Sequence, residues 1–416
     1  MAEHRNWSGN VVFSAGELVR PTTIAEVQRT VARSTGRVHA LGSRHSFNRV
    51  ADATDRLVDL SRLDTPIELD DQHVWCGGGT RLGDLGTFLH AAGRALHNLP
   101  SLPHLTAAGT IATATHGSGR ELAALHDAVD AVELVTATGD LLVVERGDAD
   151  FDGVVVALGA LGVVVRLRLR TEPTYDVAQT VYDGLAIADA ADHLDELLGL
   201  ATSVSLFTDW RGGRIGQVWC KQRTDRPAPD RPSWFESPAA EIAHHPLPGV
   251  AADACTEQLG RPGPWHERLP HFRLDHRPSL GDELQSEYFV PFEHGADALR
   301  ALADVGDRLA PILLVSEVRA VAADHQWLSP ASRGPQVALH FTWRLDVPAV
   351  DRLLPILEAA LEPMAPLPHW GKLSALPAAT VRAGLPGAAR FAELARRLDP
   401  DGRFRNAVVD TLVTDR

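Results

Sequence analysis

Cysteine is scarce in this chain, and so are long apolar runs. The three cysteines (Cys76, Cys220 and Cys255) are odd in number and far apart, which predicts free thiols in a reducing compartment rather than a disulfide framework. The longest apolar stretch, residues 153–165, is too short for a helix that crosses a bilayer core of about 30 Å, and its glycines and valines predict buried strands. Residues 1–10 are polar and lack the apolar run of a secretory signal. We therefore expect a cytoplasmic protein without membrane segments.

Basic residues are also fewer than acidic ones. The 416 residues include 54 acidic and 40 basic ones, a net charge of −14, and the basic residues form no cluster or stripe. Such a surface repels phosphate backbones, so we expect no nucleic-acid partner and favour a neutral or cationic small molecule. The composition is otherwise ordinary, with 44% hydrophobic residues, and at about 150 residues per domain the length predicts two or three domains. We expect the protein to be a monomer.

Motifs for metal centres and for hydrolases are absent. Although the chain has 19 histidines, His244, His245, His266, His271 and His276 are loosely spaced in a proline-rich stretch. None has the H-E-x-x-H or paired-cysteine spacing that directs ligands to one ion. There is no G-x-S-x-G segment for a nucleophilic serine either. We expect neither a metal site nor hydrolase chemistry.

The first 175 residues alternate short valine-rich strands with helical patterns. Apolar spacing predicts a helix over residues 24–34, whose start a threonine can cap, and Val38–Leu41 is predicted as a short buried strand. Residues 130–136 and 141–144 flank a turn sequence and predict a hairpin. The alternation of apolar and basic residues in Val163–Arg170 predicts the last strand of an α+β unit.

The composition changes after residue 174. Residues 221–280 are rich in proline, histidine and arginine with little periodicity, which predicts a long ordered excursion over the surface. The remaining periodicity predicts further strands and helices. Residues 287–291 come first, the predicted strands are 313–321 and 337–345, and the predicted helices are 296–309, 349–361 and 388–398.

Two loops of small residues carry candidate chemistry. Residues 42–48 (GSRHSFN) follow a predicted strand, and a glycine-led turn of this kind exposes backbone N–H groups in a concavity that suits a pyrophosphate. Residues 109–119 (GTIATATHGSG) combine glycines, which permit close backbone approach, with hydroxyls that can bond phosphate or the polar atoms of an isoalloxazine. Each loop alone also fits a structural role, as a capped turn or a glycine-rich connection. Two such loops in one unit favour a cofactor site.

A row of polar side chains interrupts the later apolar strands. Side chains alternate between the faces of a strand, so polar residues two apart share one face. That face either meets solvent or lines a site, and its donors and acceptors suit sugar hydroxyls. Lys372, in the segment 369–372 (HWGK), is either a surface lysine or a further cation of the same site. The row consists of Glu317 and Arg319 in one strand and of His340, Thr342 and Arg344 in the next.

Together these segments resemble those of FAD enzymes with the vanillyl-alcohol oxidase fold, and within them the bacterial alditol oxidases. The resemblance runs nearly end to end and is carried by residues 42–48, 101–104, 113–119, 284–288, 316–319, 340–343, 369–372 and 399–406. It implies an α+β protein with two domains. The first is a PCMH-type FAD-binding domain of residues 1–175, completed by about 377–416. The second, residues 176–376, is an α+β substrate (cap) domain built on an antiparallel sheet, and the substrate is expected between the two.

The resemblance implies FAD bound covalently, with His45 joined to the flavin 8α-methyl carbon. Neutral imidazole is a suitable nucleophile for that electrophilic carbon, and the link is expected to raise the flavin potential. Cys220 and Cys255 lie in unrelated contexts, so one link is expected. The other residues implied to bind the cofactor are Leu41, Gly42, Ser43, Arg44, Ser46, Phe47, Ser101, Thr106, Gly109, Thr113, Thr115, His116, Gly117 and Ser118.

The resemblance also implies a polyol site, in which Ser101, Glu317, Arg319, Thr342 and Lys372 bind substrate and His340 lies close to the reacting end. The implied reaction is hydride transfer from the terminal carbinol carbon of an alditol, such as xylitol or sorbitol, to flavin N5, after which O2 is reduced to hydrogen peroxide. Arg319 and Lys372 would stabilise the developing alkoxide, and Glu317 would neutralise both cations. Either His340 or Lys372 takes the hydroxyl proton. The catalytic candidates are Arg319, Lys372, His340 and Glu317.

Two other functions remain open. Residues 369–372 also resemble the C-terminal motif of lactone oxidases, so an aldonolactone oxidase or dehydrogenase of the same fold is the alternative activity, against which Glu317 and Arg319 favour an open polyol. A flavin-binding module without catalysis is the third reading, and the intact polar row argues against it. Access of O2 to the flavin decides between oxidase and dehydrogenase, and the small residues 109–114 leave room for it.

Overall fold

The computed structural model describes residues 4–276 and 281–414. Short strands and helices alternate in the first third of the chain, and long antiparallel strands dominate from residue 176 onwards. The strands are β1 (Glu17–Val19), β2 (Val38–Leu41), β3 (Arg56–Asp59), β4 (Glu68–Leu69), β5 (His73–Gly77), β6 (Arg94–Ala95), β7 (Val129–Val135), β8 (Leu141–Glu145), β9 (Val163–Arg170), β10 (Glu172–Pro173), β11 (Asp176–Ala186), β12 (Ser203–Thr208), β13 (Arg214–Arg223), β14 (Gly263–Pro264), β15 (Glu283–Pro291), β16 (Leu313–Val321), β17 (Gln336–Arg344) and β18 (Leu367–Pro368). The α-helices are α1 (Ile24–Arg33), α2 (Leu82–Ala91), α3 (Ala107–Ala112), α4 (Phe151–Val155), α5 (Ile187–Asp192), α6 (Leu194–Leu198), α7 (Gly295–Leu309), α8 (Val347–Leu361), α9 (Ala378–Ala383), α10 (Ala388–Leu398) and α11 (Ala407–Val413).

The individual strands and helices that periodicity predicted are present, although they are fewer than half of these elements. Strands β2, β9 and β16 and helix α10 have the predicted bounds, and Thr23 caps α1 by accepting a hydrogen bond from the Glu26 amide. The prediction of strands throughout residues 153–165 is wrong. The first residues of that stretch are the end of α4. The chain then turns, with Leu158 in the left-handed region (φ 54°), and β9 begins only after this turn. A continuous apolar run has no period, so a buried helix and a buried strand look alike in it.

Two sheets form the frame of the N-terminal part. Strands β1, β3 and β2 make a parallel sheet in that order, and β4, β5, β9, β7 and β8 make an antiparallel one. The pair β7–β8 is the predicted hairpin, closed by the turn at residues 136–140. In β9 buried apolar residues alternate with half-buried ones, so one face of the sheet packs on the core. The loop at residues 42–48 follows β2 directly, and a stable sheet therefore fixes where that loop begins.

An eight-stranded antiparallel sheet forms the second frame, in the order β14-β11-β13-β12-β16-β17-β15-β18. Helices α7 and α8 cover one face, where Val318, Leu339 and Trp343 are buried. The opposite face carries the polar row. Register places Glu287 of β15 opposite His340 of β17, and His340 opposite Glu317 of β16, so the three side chains lie next to one another.

The prediction of a surface excursion at residues 221–280 needs correction. The described part of this segment crosses the open face of the large sheet and is partly buried. Thr256, Gln258 and Trp265 are inaccessible to solvent or nearly so, and the backbone amides of His271 and Phe272 both donate to the Ser101 carbonyl oxygen. Proline-rich, aperiodic composition predicted the absence of regular structure but not the burial.

The C-terminal segment packs on the N-terminal part. Phe391, Leu394 and Val409 share a core with Phe151 and Val154 of α4. The Val38 amide donates to the Arg403 carbonyl oxygen at 2.8 Å, which joins the C-terminal segment to β2. These contacts agree with the expected completion of the FAD-binding domain by the C-terminus, while the domain boundaries themselves stay a prediction. Among the described residues, no helix has the length and apolar character needed to cross a membrane.

Asn406 is expected to contribute strongly to the stability of the packing between the C-terminal segment and the N-terminal part. Its Nδ2 donates to the carbonyl oxygens of Val50 and Asp52, and its Oδ1 caps α11 by accepting from the amides of Val408 and Val409. Asn406→Ala leaves these buried groups unpaired, so we expect the free energy of unfolding to fall by about 2–4 kcal/mol. Denaturant unfolding measures this. Thr411→Ala, on the exposed side of the same helix, is the control and should change stability by less than about 0.5 kcal/mol; equal losses would contradict the role of Asn406.

Candidate active site

A cavity of about 850 Å3 lies between the loops of the N-terminal part and the polar face of the large sheet. Its walls include residues 41–47, parts of 100–116, and the polar side chains of β15, β16 and β17. His245, Leu247, His271 and Phe272 of the segment 221–280 close one side. A cleft of this size, with a few polar groups directed into it, is typical of a small-molecule site.

His45 lies in the cavity wall in a fixed orientation. The residue before it, Arg44, adopts the left-handed backbone conformation (φ 65°), which is strained for a side chain of this size. The His45 Nδ1 donates to the Ser43 carbonyl oxygen at 2.9 Å, and the Trp7 ring stacks on the imidazole at 4.9 Å between centroids. Burial lowers the pKa of His45 to about 4. The imidazole is therefore neutral at physiological pH.

The loop around His45 is held from both sides. Asn6 Nδ2 donates to the Ser46 carbonyl oxygen at 2.9 Å, and Asn10 Nδ2 donates to that of Phe47 at 2.8 Å. On the other side, the Phe47 amide donates to the Gly371 carbonyl oxygen at 2.7 Å, and Asn48 Nδ2 donates to the carbonyl oxygens of Trp370 and Lys372 at 2.8 Å each. The loop is thus joined directly to the segment that carries Lys372.

The residues next to this loop fit a bound FAD. Thr106 Oγ1 is buried and has no hydrogen-bond partner within the described chain. A Cβ at Gly42 would lie 2.5 Å from this oxygen, and one at Gly109 would lie 2.9 Å from it. Glycine at both positions therefore keeps the concavity open, and a ligand with polar atoms can supply the partner that Thr106 lacks.

Most of the expected cofactor residues line the cavity, and two do not. Gly117 and Ser118 lie beyond its edge. Ser118 Oγ donates to the Val204 carbonyl oxygen of the large sheet, and a Cβ at Gly117 would collide with Asn98 and the Leu99 carbonyl oxygen. These two residues pack between the sheets in the described structure, and their assignment to the cofactor stays a prediction. The expected residues that do line the cavity are Leu41, Gly42, Ser43, Arg44, His45, Ser46, Phe47, Ser101, Thr106, Gly109, Thr113, Thr115 and His116.

The expected substrate residues converge on a carboxylate that the sequence analysis did not single out, Glu287. Arg319 Nη2 donates to Glu287 Oε1 at 2.6 Å, and Lys372 Nζ donates to Oε2 at 2.6 Å. His116 Nε2 lies 3.3 Å from Oε1. Burial raises the pKa of Glu287, but the charges of Lys372 and Arg319 outweigh it and hold the pKa well below its usual range. Glu287 is therefore ionised and carries two charge-assisted hydrogen bonds.

The expectation that Glu317 neutralises both cations is corrected by this geometry. Glu287 is the close partner of both, whereas Glu317 Oε1 lies 3.6 Å from Arg319 Nε. The shorter contact of Glu317 Oε1 is to His271 Nε2, at 2.8 Å. Burial raises the pKa of Glu317, but Arg319 and the His271 hydrogen bond lower it further, so this carboxylate is also ionised.

His340 is neutral and directed towards Lys372. Lys372 Nζ lies 2.8 Å from His340 Nδ1, and His340 Nε2 lies 3.1 Å from Thr342 Oγ1. A charged amine can only donate, so Nδ1 accepts and Nε2 carries the hydrogen. Burial, with the nearby Lys372 charge, lowers the pKa of His340 to about 3. Burial also lowers the pKa of Lys372, although Glu287 opposes that shift.

The remaining expected residues are divided between cavity and surface. Ser101 lines the cavity and accepts a hydrogen bond from Arg319 Nη1 at 3.4 Å, and Thr342 lines it as well. Arg344, the last member of the polar row, is exposed at the end of β17 and takes no part. Sequence reasoning missed Glu287 and His271. The strand alternation that found Glu317 would also have assigned Glu287, whereas no pattern in the aperiodic segment identifies His271.

Chemically, this arrangement offers two fixed cations, two ionised carboxylates and a neutral imidazole in one wall of the cavity. Such groups can hydrogen-bond several hydroxyls at once, and the cations can stabilise negative charge that develops on an oxygen. The opposite wall contains His45 and small residues of the loops 42–48 and 109–119, which we call the cofactor loops.

Comparison with known proteins identifies families that match both halves of the chain. Two families match the chain: one described as an FAD binding domain over residues 16–145, and one described as D-arabinono-1,4-lactone oxidase over residues 281–412. Among solved structures, cholesterol oxidase from B. sterolicum superposes with a TM-score of 0.79 over 99% of this chain and 96% of its own, at 13% identity. A solvent-stable cholesterol oxidase gives 0.78 over 99% and 97%, at 16% identity. These structures establish the fold, that of vanillyl-alcohol oxidase, and the chain has an FAD-binding domain.

Relatives of known activity cover the chain almost completely. The L-gulono-1,4-lactone dehydrogenase of Mycobacterium tuberculosis is 29% identical over 96% of this chain and 96% of its own. The alditol oxidase of Streptomyces sp. (strain IKD472) is 46% identical over 98% of this chain and 98% of its own. The chain therefore belongs to the alditol oxidase family.

Proposed function

We propose that this protein is an FAD-dependent oxidase that converts the terminal primary hydroxyl of alditols such as xylitol and sorbitol to an aldehyde and reduces O2 to hydrogen peroxide. The observation that carries the proposal is the polar cluster of Glu287, Glu317, Arg319, His340 and Lys372, which faces the cofactor loops across one cavity. The similarity to an alditol oxidase supports the same substrate class.

The cations of the cluster would act on the reacting hydroxyl. Arg319 and Lys372 each have one hydrogen bond to Glu287 and further N–H groups for a substrate oxygen. Because Glu287 fixes both cations before substrate arrives, they need no reorganisation when negative charge develops on that oxygen. FAD, when bound, supplies the acceptor for the hydride and passes the electrons to O2.

The hydroxyl proton would pass to the pair formed by Lys372 and His340. His340 is neutral, and its Nδ1 already accepts from Lys372 Nζ. The Lys372 ammonium can take the hydroxyl proton only as it passes one of its own protons to His340 Nδ1, so the two groups act as one acceptor and the net proton resides on the imidazole. This joins the two candidates that the sequence analysis kept apart.

Binding along the chain of hydroxyls would fall to Glu317, Ser101 and Thr342. Glu317 is ionised and has one oxygen engaged by His271, and Ser101 and Thr342 contribute hydroxyls to the same wall. These groups lie on two strands and a loop, so they can contact successive hydroxyls of an extended polyol. An aldonolactone is the second candidate substrate, because the family described as D-arabinono-1,4-lactone oxidase matches residues 281–412.

His45 is proposed as the covalent attachment point of FAD. Its imidazole lies in the cavity wall and is neutral because burial lowers its pKa to about 4. Neutral imidazole is the nucleophilic form. The stacked Trp7 ring and the Ser43 carbonyl oxygen limit its rotation. The division into an FAD-binding domain (1–175 with about 377–416) and a substrate domain (176–376), a monomeric state and a cytoplasmic location remain predictions.

The covalent link is tested by acid precipitation of the purified protein. We expect the yellow colour to stay in the pellet of the wild-type protein and to move to the supernatant in His45→Ala, measured by absorbance. The exposed His325, replaced by alanine, is the control and should keep the colour in the pellet. Free flavin released from the wild-type protein would exclude the link and leave the fold assignment intact.

The role of the cations is tested by Lys372→Met. Removing this donor should lower the rate of anaerobic flavin bleaching by xylitol by about 100-fold or more, since one such donor contributes about 3–4 kcal/mol to stabilising the transition state. Stopped-flow absorbance measures the rate. Arg344→Ala removes an exposed cation from the same face of β17 and should bleach at the wild-type rate. A Lys372→Met enzyme as fast as wild type would contradict the assignment.

A wild-type flavin that no alditol bleaches, but an aldonolactone does, would replace the proposed substrate by the second candidate. Recovery of the colour in air, with hydrogen peroxide formed, identifies an oxidase. Recovery only with an artificial electron acceptor identifies a dehydrogenase.

A further inference from the structure

Lysine occurs at only two positions of this chain, Lys221 and Lys372, and every other basic side chain apart from histidine is an arginine. Lys221 is buried, and Lys372 is half-buried. Lys372 belongs to the polar cluster already described. Lys221, on β13, lies behind that cluster and is 1% exposed.

The ammonium group of Lys221 has a complete set of acceptors. Its Nζ donates to the carbonyl oxygens of Leu269 and Pro270 at 2.6 and 2.9 Å, and to His271 Nδ1 at 3.1 Å. An ammonium has three N–H donors and no acceptor, so these three partners match it one to one. A guanidinium, planar and larger, does not fit three acceptors that converge on one atom.

This contact and the ionised Glu317 together determine the tautomer of His271. Because Nδ1 accepts from Lys221, the ring hydrogen resides on Nε2, which donates to Glu317 Oε1 at 2.8 Å. Phe207 and Trp219 enclose the ring edge-on, with centroids 5.5 and 5.3 Å away. The imidazole is thus a neutral connector of fixed orientation between a buried cation and the carboxylate.

The connection leaves one oxygen of Glu317 for substrate. Oε1 is held by His271, while Oε2 has no hydrogen bond from the described residues, and Glu317 lines the cavity. The same turn of chain is tied to Ser101, whose carbonyl oxygen accepts from the His271 amide at 3.1 Å. Through these contacts, Lys221 and His271 hold two of the expected substrate residues, Glu317 and Ser101, in place.

We propose that His271, held in one tautomer by Lys221, is a positioning residue that orients Glu317 to bind the hydroxyls of the alditol away from the reacting end. The inference rests on the proposed function. Without the Nε2 donor, Glu317 can rotate towards Arg319 and withdraw from substrate. The expected effect is on affinity, because the cations that act on the reacting hydroxyl, Arg319 and Lys372, stay held by Glu287 and make no hydrogen bond to His271 in the described structure.

The experiment compares holoenzyme variants in anaerobic flavin bleaching at varied xylitol concentration, which separates Kd from the limiting rate. His271→Leu should raise Kd about tenfold or more, the usual worth of a hydrogen bond to a charged group, and change the limiting rate by less than about threefold. His271→Gln offers an amide oxygen to Lys221 and an N–H to Glu317, so it should restore Kd to within about threefold of wild type. Lys221→Met should also raise Kd, because the His271 ring is no longer held at Nδ1.

Thr256→Val is the matched control. Thr256 Oγ1 donates to the Pro270 carbonyl oxygen at 2.7 Å, so this variant weakens the same turn without touching the His271 ring, and its Kd should equal that of wild type. A wild-type Kd in His271→Leu, a His271→Gln variant as weak as His271→Leu, or a Thr256→Val variant equally weak would each overturn the inference. If the wild-type flavin is bleached by a lactone and by no alditol, the proposed function fails by itself, and the same comparison with the lactone still tests His271.

Discussion

Glu287 is the buried charge on which the arrangement of the active site depends. Its side chain is 0% exposed, and its oxygens are committed to two cations, Arg319 and Lys372, whose side chains are 6% and 15% exposed. A carboxylate removed from water is stable only when it is paired, and removing one member of such a group leaves the others uncompensated. The three charges are therefore stable only together. Since they come from β15, β16 and the segment 369–372, the ion cluster also fixes these three parts of the chain relative to one another.

The segment 369–372 connects this cluster to the cofactor loop. Its side chain Lys372 enters the cluster, while its backbone carbonyl oxygens accept hydrogen bonds from Phe47 and Asn48, next to His45. Trp370 Nε1 anchors it further through the Leu328 carbonyl oxygen at 2.7 Å. The separation between the proposed flavin attachment point and the cations is thus set by short backbone contacts rather than by a flexible linker. Catalysis by positioned groups requires geometry of this kind, because small displacements of reacting groups lower the rate strongly.

Strand alternation predicted the polar wall of the site, and the loops of small residues indicated the cofactor wall, but neither pattern predicted how the charged groups are paired. The alternation along β16 and β17 is intrinsic to a strand, so the shared face of Glu317 and Arg319 could be assigned without a structure. Alternation along β15 would assign Glu287 to a face in the same way, but which carboxylate neutralises the cations depends on the register of β15 against β17, a long-range pairing. Gly117 and Ser118 resemble their neighbours in composition, but the chain has already turned towards Val204 there. His271 lies in a stretch whose position is fixed by tertiary hydrogen bonds alone. Sequence periodicity does not predict such contacts.

The charge balance of the cluster bears on which substrates it can accept. Glu287 and Glu317 offset Arg319 and Lys372, so the wall is close to neutral although it is densely charged. Two unpaired cations in a cavity would attract anions such as sugar acids in the ground state, and that binding would add nothing to the rate. With Glu287 in place, a neutral polyol meets oriented donors and acceptors instead of a net field. The cations then gain most when the hydroxyl oxygen becomes negative, which is the difference between ground state and transition state that catalysis requires.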